Sequence, residues 1–374
     1  MKGNDRKAAM SKKVLITGGA GFIGVNTIRY IHDVTGDDFE FYVFDNLHPQ
    51  VHKTGKLPPE LPSKTTFYKG DVSKARDWDS VLKIVSPDII FHLAAETGTG
   101  QSLTESSRHG RVNVVGTTEM IDALRRNNCT PKHIVLTSSR AVYGDGEWQA
   151  KDGTIISVGS RTHAELEAAK WDYLDTDHAS PLVPIKSRAG KTHPNPTNIY
   201  AATKLAQEHI LRSWCTAFEV PLTIVRLQNV YGPGQALDNS YTGIVALFSR
   251  LANEGKPIEV FEDGKIIRDF VYVRDVSQAL YKSLLTPPIS GNIRLLDIGS
   301  GDATTVYDLA TKLSTIAQAP KPIITGKYRD GDVRAAYCDI SQAEIEIGYK
   351  PEWPLSRGLE HLYKWVRDGN GGSV

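Results

Sequence analysis

The 374-residue sequence has few cysteines and no long apolar run. Its three cysteines, Cys129, Cys215 and Cys338, are odd in number and far apart, which argues against a disulfide framework and against a zinc site of cysteine pairs. No apolar run approaches membrane-spanning length, and residues 1–12 lack the apolar core of a signal peptide. Neither sign of charge dominates, because 44 Lys and Arg nearly balance 43 Asp and Glu, and no dense basic block appears. These absences favour a cytoplasmic protein with no metal site, whose partner is a small molecule and neither nucleic acid nor a membrane.

A glycine-rich motif follows the apolar run at 14–16. Gly18, Gly21 and Gly24 have the spacing that joins a strand to a helix around a dinucleotide. The first glycine permits a tight turn, the second lets backbone amides approach a pyrophosphate, and the third lets helix and strand pack closely. An ordinary glycine-rich turn is the alternative reading.

Asp45 ends a second apolar run, at 39–44, and lies 21 residues after Gly24. An acid at this place binds the adenosine ribose hydroxyls. Because its carboxylate would repel a 2′-phosphate and no arginine follows closely, the expected cofactor is NAD and not NADP. The alternative is that Asp45 and Asn46 form a simple turn.

Further strands are predicted at 66–69, 89–95, 132–138 and 222–227. Ligands bind beyond the carboxyl ends of such strands, where Ala94 and Ala95 would let the chain pass close to the cofactor and Ser139 supplies a hydroxyl. His92 lies within an apolar strand and is expected to be a core histidine without a catalytic role.

Tyr200 and Lys204 are four residues apart in a segment of helical composition, so they share one helix face. An ammonium near a phenol lowers the pKa of the phenol towards the range of a general base. The same spacing occurs by chance in many helices, but here it follows a dinucleotide motif and a strand-end serine.

The length of the chain predicts two lobes, or one large domain with an appended part. In the C-terminal part, residues 257–261 and 266–273 flank a turn at 262–264 and are expected to form an antiparallel pair. A guanidinium fork matches phosphate oxygens, which makes Arg268, Arg329 and Arg334 candidates for binding a diphosphate; each alone could equally be a surface ion pair. The polar stretch between Gly144 and Asn198, with one short helix predicted at 165–170, is expected to be a flap over the substrate.

With these motifs in place, the chain resembles the extended short-chain dehydrogenase/reductase family of NAD-dependent sugar-nucleotide epimerases and dehydratases. The likeness covers Val14 to about Trp365 and rests on Thr17–Gly24, Asp45–Leu47, Gly70–Val72, His92–Ala95, Asn113–Thr117, Ser138–Ser139 with Val142–Gly144, Tyr200 with Lys204, and Arg268–Val271.

The resemblance implies an α/β fold, with a doubly wound, mostly parallel Rossmann sheet and a smaller C-terminal substrate-binding lobe. The NAD-binding domain would span 12–227, with the inserted flap at 147–197 and with 273–290 returning to it. The substrate lobe would comprise 228–272 and 291–368, leaving 1–11 and 369–374 as tails. A homodimer formed through the helices at Asn113 and Tyr200 is expected from the family alone.

The site follows from the same motifs and the resemblance. Tyr200 would be the general base, acting directly or through Ser139, and Lys204 would lower its pKa and hold the nicotinamide ribose. Asp71 either accepts from the adenine amino group or caps a helix. The expected cofactor-binding residues are Gly18, Gly21, Phe22, Ile23, Gly24, Asp45, Asn46, Asp71, Val72, Leu93, Ala94, Ala95, Thr97, Asn113, Ser138, Tyr200, Lys204 and Val230. The expected substrate-binding residues are Thr99, Ser139, Arg140, Asn229, Gln235, Arg268 and Arg329.

The residues after Ser139 indicate the branch of the family. Dehydratases place an Asp-Glu pair there, whereas this chain has Arg140 and Ala141. The resemblance therefore implies a 4-epimerase of a nucleotide-diphosphate sugar, in polysaccharide biosynthesis. The segments 138–146, 228–235 and 241–244 resemble the dTDP-L-rhamnose 4-epimerase type, although the insertion lacks cysteine and no metal-stabilised flap is expected. A UDP-hexose or UDP-hexuronic acid 4-epimerase, a net sugar-nucleotide reductase and a non-catalytic NAD-binding regulator remain the alternatives.

Overall fold

The computed structural model describes residues 11–175, 180–237 and 243–369. Most of both predicted tails, and Tyr241 and Thr242 of the segment quoted above, lie outside these ranges. The strands are β1 (Lys12–Thr17), β2 (Phe39–Asp45), β3 (Thr66–Lys69), β4 (Ile89–His92), β5 (His133–Ser139), β6 (Glu147–Gln149), β7 (Ile155–Ser157), β8 (Val183–Pro184), β9 (Leu222–Leu227), β10 (Asn229–Tyr231), β11 (Glu259–Val260), β12 (Ile267–Arg268), β13 (Phe270–Tyr272), β14 (Ile293–Ile298), β15 (Thr304–Thr305), β16 (Ile323–Ile324) and β17 (Ala335–Ala336).

The helices alternate with these strands along the first part of the chain and dominate its end. They are α1 (Phe22–Thr35), α2 (Ala75–Leu82), α3 (Thr99–Thr104), α4 (Ser106–His109), α5 (Gly116–Arg126), α6 (His163–Glu167), α7 (Ile199–Ala217), α8 (Ile244–Asn253), α9 (Val273–Leu285), α10 (Val306–Ala317), α11 (Ser341–Ile347) and α12 (Leu355–Arg367). A π-helical turn, Gly110–Val115, joins α4 to α5, and a 3₁₀ turn, Arg140–Tyr143, follows β5. None of the described helices has the length and apolar character needed to cross a membrane.

A seven-stranded parallel sheet forms the centre of the molecule, in the order β14-β9-β5-β4-β1-β2-β3. Helices cover both of its faces. One core contains Ile28 and Ile31 of α1 with Leu280 of α9. The other contains Trp78 of α2 and Leu211 of α7. A parallel sheet buried between two helical layers is the doubly wound arrangement, and it confirms the fold expected from the sequence.

The C-terminal lobe has its own core beneath α8, α10 and α12, centred on Phe248, Leu309 and Leu362. The antiparallel pair expected here is wrong. Strand β11 pairs in parallel with β16, and β12 lies between β15 and β17. The turn between the two apolar runs does form, since the Gly264 amide donates to the Phe261 carbonyl at 3.1 Å. The runs nevertheless take partners from later in the chain, which a local pattern cannot reveal.

The described residues of the insertion form a sheet-and-helix unit. Strands β7, β6 and β8 form a three-stranded antiparallel sheet, and Thr162 caps α6 in a reciprocal capping box with Glu165. Trp148 of β6 packs in one hydrophobic cluster with Ala335 and Ile267 of the C-terminal lobe. The body of the predicted flap therefore packs against the C-terminal lobe.

Buried charges reinforce this contact. The carboxylate of Glu262 accepts from Arg161 of the insertion at 2.8 Å and from Arg334 at 3.0 Å. Arg334 also donates to Asp172 at 2.9 Å and to both oxygens of Asp263, at 2.7 and 2.9 Å. Because its guanidinium is fully engaged, Arg334 stabilises the insertion and does not serve as the diphosphate ligand considered from the sequence.

Candidate active site

The glycine turn after β1 leaves no room for side chains. Gly18 has a φ of +67°, and a Cβ there would lie 2.7 Å from the backbone nitrogen of Ala94. A Cβ on Gly24 would lie 2.6 Å from the Cα of Gly19. Helix α1 then begins after Gly21, and none of the described side chains caps its first amides. The amides of Gly18 and Gly21 donate to backbone carbonyls, and the start of α1 presents the free backbone N–H groups of a cradle suited to a pyrophosphate.

Asp45 lies at the carboxyl end of β2, beside this cradle. Its carboxylate accepts from the backbone amides of Ala20 at 3.1 Å and Leu47 at 2.9 Å, which fixes its orientation. Burial raises the pKa of Asp45, while these amides and the nearby imidazole of His52 oppose that shift. An oriented carboxylate here can accept hydrogen bonds from ribose hydroxyls.

A cavity of about 400 Å³ extends from the cradle along the strand ends to Tyr200. Most of the predicted cofactor-binding residues line it, namely Gly18, Gly21, Phe22, Ile23, Gly24, Asp45, Asn46, Val72, Leu93, Ala94, Ala95, Thr97, Tyr200 and Val230, together with Gln235 from the predicted substrate set. Its lining includes the glycine turn and helix start, the strand-end residues and Tyr200. These features fit an extended dinucleotide.

The reacting groups meet at the inner end of this cavity. Ser139 ends β5, and its Oγ accepts from the backbone amide of Ala141 at 3.1 Å. The Ser139 hydroxyl lies near the phenol of Tyr200, at the start of α7, where it opposes the rise of the Tyr200 pKa. Asn198 caps that helix by accepting from the Ala201 amide at 2.9 Å, which fixes the first turn and with it Tyr200. The structure therefore brings Ser139 and Tyr200 near each other, and their catalytic roles stay predictions.

A family model for the NAD dependent epimerase/dehydratase family matches residues 14–292 of this chain. The chain belongs to that family. The resemblance stated from the sequence is confirmed, and NAD is its cofactor.

Two kinds of relative support this membership. The dTDP-L-rhamnose 4-epimerase of Burkholderia thailandensis is 51% identical over 355 residues, covering 95% of each chain. Among solved structures, the UDP-glucose 4-epimerase of Thermotoga maritima, determined with UDP-glucose, is 25% identical with a TM-score of 0.75. That match covers 96% of this chain and 99% of the other. The UDP-glucose 4-epimerase of Thermus thermophilus in complex with NAD shares the fold at 23% identity and a TM-score of 0.75, over 95% of this chain and 99% of that one.

Three predicted cofactor residues have their polar groups engaged within the protein. Asn113 clamps the backbone of Glu96 and donates to Thr203 at 2.9 Å. The Ser138 hydroxyl donates to Glu208 at 2.5 Å. Asp71 Oδ1 accepts from the amide and hydroxyl of Ser73, at 2.9 and 2.8 Å. The structure therefore gives Asn113 and Ser138 supporting contacts, and Asp71 forms a local turn in place of the helix cap considered, while its contact with adenine stays a prediction.

Lys204 has a hydrogen-bond partner within its own helix. Its ammonium donates to Gln207 at 2.6 Å, and burial lowers the pKa of Lys204 to about 7, against the opposing charge of Glu208. Desolvation raises the pKa of Tyr200, and the effects that oppose this come from Ser139 and Arg140. The lowering of the Tyr200 pKa by Lys204 stays a prediction.

His92 is the core histidine expected. Its ring nitrogens lie 2.9 Å from the Thr17 hydroxyl and 3.0 Å from the Thr117 hydroxyl. Burial lowers the pKa of His92 to about 3, so the imidazole is neutral.

The predicted substrate-binding residues other than Ser139 divide into two groups. Arg140 and Arg268 lie close enough to repel each other, and Arg268 is paired with Asp332 at 2.6 Å. Asn229, which begins β10, is close in sequence to Gln235 at the cavity. In contrast, Thr99 is exposed at the start of α3, and the exposed Arg329 stacks 5.1 Å from the ring centre of Phe261. The structure does not place Thr99 or Arg329 with the first group.

Sequence reasoning missed several residues of the cavity wall: Phe44, His48, Gln50, Val51, His52, Gly70, Glu96, Arg108, Val112, Thr137, Gly234 and Ala236. Phe44, Gly70 and Glu96 are next to predicted residues at strand ends, so these three could have been predicted from the positions of the strand ends. The polar cluster in which Arg108 donates to Glu96 at 2.7 Å and to Gln50 at 2.9 Å has no such signal, because its members come from three separate segments.

Proposed function

We propose that this chain is an NAD-dependent 4-epimerase of dTDP-L-rhamnose, with dTDP-6-deoxy-L-talose as the product. The observation that carries the proposal is the 51% identity, over 95% of both chains, to a dTDP-L-rhamnose 4-epimerase. Similarity of that extent runs along nearly the whole length of both chains.

The nearness of Ser139 and Tyr200 supports the chemistry. Bound NAD supplies reversible oxidation of the carbon that bears the reacting hydroxyl. Tyr200, alone or through Ser139, removes the proton of the sugar 4-hydroxyl and later returns it to the oxygen of the 4-keto sugar. Because the proton removed is the proton returned, the tyrosine ends the cycle in its starting state. Epimerisation requires only that the keto sugar present its other face before reduction.

The residues after Ser139 favour epimerisation over dehydration. Elimination of water needs a second acid and base beside the sugar. Arg140 cannot act as a carboxylic acid, and Ala141 has no ionisable group. The site therefore lacks, at these two positions, the carboxylate pair that dehydratases use.

Unpaired polar atoms support a sugar-nucleotide ligand. Arg140 Nη1, Asn229 Oδ1 and Gln235 Oε1 are inaccessible to water and have no hydrogen-bond partner within the described ranges. Buried polar groups cost free energy unless they are paired, so such atoms mark places where a ligand donates or accepts. We assign Arg140, Asn229, Gln235 and Arg268 to the sugar and its diphosphate; Thr99 and Arg329 remain predictions.

Further parts of the proposal rest on the family and on composition. We place the protein in the cytoplasm, as a homodimer acting in polysaccharide biosynthesis; the three buried free cysteines fit a reducing compartment. The rival substrates are UDP-hexoses and UDP-hexuronic acids, in line with the similarity to a UDP-glucose 4-epimerase. A non-catalytic NAD-binding regulator is disfavoured by the nearness of Ser139 and Tyr200.

The deciding experiment uses purified protein without added cofactor. It is incubated separately with dTDP-L-rhamnose, UDP-glucose and UDP-glucuronic acid, and each mixture is followed by proton NMR, with Tyr200→Phe as the inactive control. Appearance of the 4-epimer from dTDP-L-rhamnose alone supports the proposal. Conversion of a UDP-sugar alone transfers the assignment to that substrate, and no conversion despite bound NAD contradicts it.

A further inference from the structure

Two segments of the chain flank the glycine turn at the cofactor cavity. In the central sheet β1 lies between β2 and β4, so residues 46–56 after β2 and residues 93–98 after β4 leave the same sheet edge on either side of that turn. Both segments line the cavity, the first through His48 and Gln50 and the second through Glu96. A contact that joins the two segments therefore bridges the cavity beside the glycine turn.

Side chains make such a bridge. Arg108 of α4 donates through Nη2 to Glu96 at 2.7 Å and to Gln50 at 2.9 Å. Gln50 Nε2 donates to Gln101 Oε1 at 2.8 Å, and Gln101 Nε2 donates back to Gln50 Oε1 at 3.2 Å. Glu105 completes the network, because it accepts from Gln101 at 2.8 Å and from Arg108 at 2.7 Å. We call these five residues, Gln50, Glu96, Gln101, Glu105 and Arg108, the clasp.

The clasp is more than a set of surface contacts. Gln101 is buried, and the side chains of Glu96 and Arg108 have exposed fractions of only 13% and 27%. Hydrogen bonds between charged groups that are shielded from water are stronger than those of fully exposed pairs. The bridge across the cavity is therefore expected to resist opening.

The clasp also supplies long-range contacts to a segment with local backbone contacts. Within residues 46–56, the amides of Val51 and His52 donate to the His48 carbonyl, at 2.9 and 2.8 Å. The Gln50 side chain, in contrast, reaches residues that lie 51 and 58 positions further along the chain. The clasp thus attaches residues 46–56 to the helices that follow β4.

We propose that the clasp closes the cofactor cavity, and that NAD leaves the protein only when the clasp opens. Opening separates Gln50 from Gln101 and Arg108, which frees residues 46–56 to move away from the glycine turn. The clasp contains one cation and two carboxylates, so its net charge does not attract a pyrophosphate. It therefore acts by holding the segment in place, and Gln50 and Arg108 are positioning residues towards the cofactor.

The test uses the NAD-loaded protein and needs no sugar nucleotide. Protein loaded with radiolabelled NAD is mixed with a large excess of unlabelled NAD, and the label that stays bound is counted after rapid desalting at successive times. Gln50→Ala should speed the release of NAD roughly tenfold or more, because it removes the side chain that crosses the cavity. Arg108→Met should also speed release. The double variant should release NAD little faster than the faster single variant, because both changes open the same bridge.

Arg126→Met is the matched control. Arg126 pairs with Asp79 at 3.3 Å and lies outside the lining of the cavity, so this variant should release NAD at the rate of the unaltered protein. Hydrogen exchange of the NAD-loaded proteins gives a second readout. Residues 46–56 should lose protection in Gln50→Ala while the central sheet keeps it, and the melting temperature verifies that each variant is folded.

An unchanged rate of NAD release in Gln50→Ala would overturn the proposal, as would an increase in the double variant equal to the product of the two single effects. Faster release with unchanged hydrogen exchange of residues 46–56 would also overturn it, and would make Gln50 a direct ligand of NAD. If no sugar nucleotide is converted, the proposed function fails while the release experiment still decides this inference.

Discussion

The buried charge network under the insertion makes a quantitative prediction about stability. In Glu262→Gln the side chain keeps its shape and one carbonyl acceptor but loses its charge. Glu262 has an exposed fraction of 1%, and its carboxylate accepts from both Arg161 and Arg334. The substitution therefore leaves two buried guanidinium groups without their shared counter-ion.

Removing one partner of a buried ion pair costs about 3–5 kcal/mol. The lower end applies here, because Arg334 keeps Asp263 and Asp172, and Arg161 keeps the backbone carbonyls of Trp171 and Asp332. We expect the free energy of unfolding to fall by about 3 kcal/mol. Residues 147–175 should also lose protection from hydrogen exchange before the central sheet does.

Urea unfolding and hydrogen exchange with mass spectrometry measure these two effects. Glu259→Gln is the matched control, because Glu259 pairs with Lys327 at 2.6 Å in the same lobe while both side chains are about half exposed. That control should lose less than about 1 kcal/mol. Equal losses in the two variants, or protection of the insertion unchanged in Glu262→Gln, would refute the reasoning.

Three further predictions concern the cofactor, the base and pH. Gly18→Ala should weaken NAD binding, measured by isothermal titration, roughly tenfold or more, because its Cβ would lie 2.7 Å from the Ala94 nitrogen. The control Gly159→Ala has open space around its Cβ and should bind NAD normally. Tyr200→Phe should lose about 10²–10⁴ in turnover by NMR while keeping its NAD, and retained activity would remove the base assignment. Burial raises the pKa of Asp297 to about 7, so the folded state keeps a proton that the unfolded chain releases at lower pH. The free energy of unfolding that this proton contributes is therefore lost as pH rises through 7. Asp297→Asn should therefore gain melting temperature relative to the unaltered protein at about pH 8 but not at about pH 5, and parallel behaviour at both would contradict this.

Local sequence patterns predicted the regular elements well. The strands at 66–69 and 222–227 have the predicted bounds, and the predicted helix at Tyr200 extends over 199–217. Each was visible because its apolar spacing or helical composition is contained in a short segment. The glycine turn was also predictable, because the close backbone contacts of this turn allow only glycine at the spaced positions of the motif.

Tertiary partners were not predictable in this way. From the sequence, Arg334 and Arg268 are equally good candidates for binding a diphosphate. Only the fold shows that the Arg334 guanidinium is already hydrogen-bonded to Asp263, Asp172 and Glu262. Lys204 shares a helix face with Tyr200, yet its ammonium is directed to Gln207. The strands of the insertion are two or three residues long, which is too short for a period to be recognised.

The attachment of the insertion has a consequence for protein engineering. Its two ends leave from the segments that carry Ser139 and Tyr200, while its body is bound to the C-terminal lobe through Trp148 and Arg161. A chimera that exchanged residues 228–272 and 291–368 for those of another family member, but kept 147–197, would separate these residues from Ala335 and Glu262. A chimera designed to alter sugar specificity should therefore exchange the C-terminal lobe and the insertion together. Its crossover points for the insertion should lie inside 140–146 and 195–198.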